Sequence, residues 1–139
     1  MPSRGSAIMS LFRSLKCSWY LGKGSRAFKC GRYDQALRYF LSAHEYAQET
    51  ENSGELAVRK EAIAETYFKL EDFDKARQYA SGSLEIYRSF YSKKQSDVFK
   101  EAINRVGRFL NEITFREKEK SQAKADVQFT PARQNEKTE

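Results

Sequence analysis

The sequence predicts an all-α chain built from stacked helical hairpins, and three observations carry that expectation. Proline is confined to Pro2 and Pro131, so nothing between them removes a helix N–H. Apolar residues recur at spacings of three and four along successive segments. Two octets answer one another at an interval of 40 residues: Lys29-Cys30-Gly31-Arg32-Tyr33-Asp34-Gln35-Ala36 and Lys69-Leu70-Glu71-Asp72-Phe73-Asp74-Lys75-Ala76. Repetition at such a period is the mark of stacked helix–turn–helix units.

The elements follow in order. Ala7, Ile8, Leu11, Phe12 and Leu15 form an apolar stripe at helical spacing, with Arg13 and Lys16 off it. The stripe continues through Trp19 or Tyr20 towards Lys29. Gly22 and Gly24 weaken that continuation by about 1 kcal/mol each relative to Ala, so one long helix competes with two pieces joined near Lys16. Gly31 is a turn residue free to take positive φ. A second helix is predicted from Tyr33 to Gln48, with Ala36, Phe40, Ala43 and Ala47 on one face and Leu37, Leu41 and His44 beside it.

Thr50 to Gly54 is a polar turn cluster. The third helix is predicted over Glu55 to Leu70, with Leu56, Ile63, Tyr67 and Leu70 inward, and Glu71-Asp72 turns the chain again. The fourth runs from Phe73 to Tyr91, carrying Phe73, Ala76, Ala80, Leu84 and Tyr87 on one side. After Ser92 to Gln95, Ser96 or Asp97 caps a fifth helix through orphan N–H groups of its first turn. Its apolar members are Phe99, Ala102, Ile103, Val106, Phe109, Leu110 and Ile113. Beyond Arg116 apolar residues nearly stop. The expected organisation is a basic amphipathic extension or cap over 1–16, two hairpins over 17–91, a closing helix over 96–120 and a disordered polar tail over 121–139.

The repeated residues resemble the tetratricopeptide repeat, whose signature is W-x2-L-G-x2-Y, then A-x3-F, then Pro. Tyr20, Gly24, Ala27, Ala36, Phe40 and Ala43 fall on its places in the first hairpin. Ile63, Ala64, Tyr67, Phe73, Ala76 and Ala80 do so in the second. Ile103-x2-Val106-Gly107-x2-Leu110 reads as the opening helix of an uncompleted third unit, a common way to close such arrays. Lys23, Lys60 and Ala27 depart from the signature, no Pro closes either repeat, and the period is longer than the usual 34 residues.

The resemblance implies a non-enzymatic module that binds a peptide or helix of a partner protein in its concave face, as a scaffold or adaptor. The places it assigns to that groove are Leu21, Ser25, Phe28 and Lys29, then Val58, Glu61, Glu65, Phe68 and Lys69, and on the closing helix Asn104, Arg108 and Asn111. Glu61 and Glu65 stand where the family's carboxylate clamp needs a base and an amide, so such a clamp is not expected. A segment with Lys or Arg opposite these acids and an apolar anchor near Phe28 and Phe68 suits the groove better. Phe28 and Phe68 have a second reading as core between repeats.

Charge is placed unevenly. The chain carries +6, yet residues 1–33 hold seven Lys or Arg and no acid. That basic segment has three readings: a cap on the first hairpin, a contact with an anionic membrane surface, or a mitochondrial-type targeting segment. A membrane-surface adaptor anchored there is the alternative function. No nucleic-acid signature accompanies the charge. Two hairpins are few, so self-association through an end face is also expected.

Nothing in the chain assembles catalytic chemistry. His44 is the single histidine and lies among packing residues, while Cys17 and Cys30 form no paired motif. Gly22-Lys23-Gly24-Ser25 lacks the earlier glycine of a phosphate loop, since Cys17 stands there. No metal-ligand spacing occurs, and no cofactor is expected. Sparse cysteine suits a reducing compartment, with the cytoplasm the simplest assignment.

Overall fold

The computed structural model describes residues 4–47 and 54–136. Among these the chain forms α1 (Arg4–Lys29), α2 (Tyr33–Tyr46), α3 (Gly54–Lys69), α4 (Phe73–Lys93) and α5 (Asp97–Glu136). Each helix packs on its sequence neighbour, α1 on α2, α2 on α3, α3 on α4 and α4 on α5. Gln48 and the turn residues 50–53 lie outside the described residues.

The two octets fold alike. Arg32 N donates to Ala27 O at 2.9 Å, and Asp72 N donates to Tyr67 O at 2.9 Å, closing both turns with the same backbone bond. The residue before each donor is left-handed, Gly31 at φ 76° and Glu71 at φ 62°. Phe28 meets Tyr33 edge-on at 5.2 Å, and Phe68 meets Phe73 edge-on at 6.0 Å. Ala36 and Ala76 are fully buried where each second helix begins, a place that only a small side chain fills.

α1 is one continuous helix through both glycines. Burial of Cys17 and Ala27 and the contact of Gly24 with Phe40 offset the propensity cost that Gly22 and Gly24 impose. The N-terminal stripe does not cover the first hairpin as a cap. Ile8, Leu11, Phe12, Leu15 and Trp19 are each more than half exposed. The reason is length: α1 has 26 residues and α2 has 14. Tyr20 stacks on Tyr46 at 5.6 Å and Lys16 lies over the same ring, so α1 before Lys16 runs past the last turn of α2.

α5 also outruns its expectation. It continues as helix to Glu136, where a disordered tail was expected from Ser121. Its start is capped by Ser96, whose Oγ accepts from Val98 N at 3.2 Å. Phe99 stacked on Phe90 and the Arg77–Glu117 ion pair hold it against α4. Once a helix is nucleated and held, extension through the Lys, Glu, Gln and Ala residues that precede Phe129 costs little, whereas Pro131 removes one backbone donor from the last turns.

Candidate functional site

α1 and α3 lead the two hairpins, and α2 packs against both. The space between α1 and α3 is an open cleft of about 780 Å³. α1 supplies one wall with Ser10, Arg13, Ser14, Cys17, Ser18, Leu21 and Ser25. These residues recur at three and four, which places them on one helix face. Glu55, Val58, Arg59 and Ala62 of α3 form the other wall on the same logic, and Phe40 and Tyr46 of α2 floor it together with Ala47, which follows that helix.

The residues predicted for the groove divide into separate places. Leu21, Ser25 and Val58 line the cleft. Phe28 and Phe68 are partly buried against the core, and Phe68 also meets Phe109 of α5 edge-on at 5.4 Å. Lys29, Lys69, Asn104, Arg108 and Asn111 are exposed beyond the cleft walls.

Glu61 faces α5 instead. Arg105 Nη2 donates to its two carboxylate oxygens at 2.8 and 3.1 Å, and the Glu61 side chain is only 15% exposed. This acid is already neutralised within the chain. Glu65 lies one turn further on, where burial and then the Glu61 charge push its carboxyl above the usual range. Burial, followed by the Glu61 carboxylate, also pushes Tyr87 up to about 12.

Apart from Ser25, sequence reasoning passed over the cleft's polar groups. The serines at 10, 14 and 18 form an i, i+4 ladder that was visible as spacing. Arg59 had no such signal. It is 3% exposed, and its Nε and Nη2 have no hydrogen-bond partner among the described residues. Its Nη1 lies 4.0 Å from Glu55, whose own side chain is 85% exposed. Beside it, burial and then the charges of Arg59 and Lys60 hold the His44 imidazole below its usual value.

Chemically the cleft has an apolar floor, hydroxyls on one wall and a cation in the other. Among the described residues no cluster of His, Cys, Asp or Glu could hold a metal, and no helix is long and apolar enough to cross a membrane. A family model for the tetratricopeptide repeat matches residues 16–93, more than half of the chain. No curated protein and no solved structure matches it.

Proposed function

The chain belongs to the tetratricopeptide repeat family, a non-catalytic protein-interaction fold, and from that premise we propose that it captures a segment of a partner protein in the cleft between α1 and α3. The observation that supports this is the cleft itself. It combines concavity, an apolar floor at Phe40 and a few convergent polar groups, as recognition sites do. The module's role is that of an adaptor or scaffold. Its test is photo-cross-linking in cells from a benzophenone amino acid placed at Val58, with Arg88 of α4 as the remote control. A discrete adduct from Val58 and none from Arg88 supports the reading; identical adduct patterns from both positions sink it.

A second reading is favoured by the exposed arc of α1. Ile8, Leu11, Phe12, Leu15 and Trp19 continue at helical spacing into Lys23, Arg26 and Lys29, with no acid before Asp34. Apolar residues followed by uncompensated bases suit an anionic membrane surface. Vesicles containing phosphatidylserine should pellet the protein, and Phe12→Glu with Leu15→Glu should abolish this. Equal pelleting by neutral phosphatidylcholine vesicles would remove the electrostatic half of the reading. Self-association through the same arc is the competing use, and light scattering of the double variant distinguishes them. Free Cys17 and Cys30 suit the reducing cytoplasm proposed for the module.

A further inference from the structure

We propose that Arg59 is a built anion site in the wall of the cleft, and that the captured segment places an aspartate or glutamate side chain on it. This rests on the reading of the cleft as the partner-binding surface. A guanidinium has five N–H donors and no way to shed its charge. In Arg59 the Nε and Nη2 donors have no partner among the described residues although the residue is almost wholly buried. An uncompensated buried cation is costly, and pairing with a carboxylate removes that cost.

No carboxylate of the described residues does so fully. Glu55 approaches only to 4.0 Å and stands mostly in solvent, where an ion pair gains little. The facing wall brings no acid at all, since α1 has none. It brings hydroxyls instead. Lys60 adds positive charge from the next position, and the His44 imidazole, held down first by burial, is lowered further by the Arg59 and Lys60 charges.

The donor geometry selects the ligand's chemistry. One guanidinium edge matches the two oxygens of a carboxylate. Glu55 at the rim opposes a dianionic phosphate more strongly than a single negative charge. Leu21, Val58 and Phe40 then call for an aliphatic residue beside the acid.

The experiment uses the full chain and a positional hexapeptide library, acetylated and C-terminally amidated so that any acid selected is a side chain. Phosphoserine is included among the building blocks. We expect selection of Asp or Glu at one position with an aliphatic neighbour. Replacing that acid by its amide should weaken binding at least tenfold in fluorescence polarisation. On Arg59→Gln the acid and amide peptides should bind alike, while Arg59→Lys keeps part of the preference. Circular dichroism checks the fold of each variant. In wild type, the Arg59 Nε–Hε resonance should shift with the acid peptide and not with its amide, which needs no variant.

Peptides selected without an acid, but lost on Val58→Asp, would leave the cleft reading standing and overturn the anion site. An acid preference that survives Arg59→Gln in a folded variant overturns it equally. Preference for phosphoserine over glutamate refutes the carboxylate assignment. No selection at all by the wild-type chain defeats the cleft reading together with it.

Discussion

Gly24 of α1 lies so close to Phe40 of α2 that a Cβ added to it would stand 2.6 Å from Cε1 of the ring. Forty residues on, the corresponding positions hold Ala64 and Ala80, both fully buried. One hairpin fills its helix crossing with a hydrogen and a ring, the other with two methyl groups. Gly24→Ala should therefore destabilise by about 1–3 kcal/mol, overpacking outweighing the gain of about 1 kcal/mol in helix propensity. Phe40→Ala alone should cost about 3–5 kcal/mol. In the double variant the two losses should fall short of additive by at least about 0.5 kcal/mol in urea denaturation, and strict additivity would mean the contact carries no strain.

Gly107 occupies the same signature place in the unfinished third unit, yet a Cβ there meets nothing within 4 Å. No second helix follows α5 among the described residues to approach it. Gly107→Ala should raise stability by about 1 kcal/mol, read as a higher thermal midpoint. A loss instead would reveal a neighbour that fills this space.

Tyr87 is pushed up to about 12 by burial and then by the Glu61 carboxylate. The folded state keeps this phenol protonated where the unfolded chain begins to ionise, near pH 10. Its contribution to stability is thus whole below about pH 10 and is lost as pH rises towards 12. Glu61→Gln should move the phenolate absorbance midpoint down towards 10, and an unmoved midpoint would assign the shift to burial alone.

His44 is held below its ordinary value by burial, then by Arg59 and Lys60. The unfolded chain therefore binds a proton that the fold resists. Stability should be level above about pH 6.5 and should fall as pH drops below it. His44→Phe should flatten that slope in chemical denaturation between pH 5 and 7. A slope unchanged by the substitution would place its origin in another group.

Residues 121–128 of α5 are all exposed. Ending the chain after Lys120 should lower the helical circular dichroism signal while shifting stability by less than about 0.5 kcal/mol. A larger loss of stability would mean the overhang packs on the body of the molecule.

Much of the fold was legible because it rests on local rules. The turn at Gly31 and its counterpart at Glu71, the aromatic pairs that follow, and the buried Ala36 and Ala76 all recur at one interval. The cleft was legible only in part. Of the places that the resemblance assigns to a groove, Leu21, Ser25 and Val58 line the cleft, whereas Glu61 lies in an ion pair with α5. Helical spacing tells which side of a helix a residue occupies but not which partner stands there.

An all-α chain, its repeat period, its helix order and its family could be read along the sequence, since periodicity, capping and turn chemistry act over a few residues. Only the tertiary arrangement shows that Arg59 is buried without a full counter-charge among the described residues, that Glu61 is spoken for by Arg105, and that the α1 stripe stays uncovered. Each depends on where groups distant in the chain come to rest. Relative helix lengths and crossings set those positions, and the spacing of any one segment does not encode them.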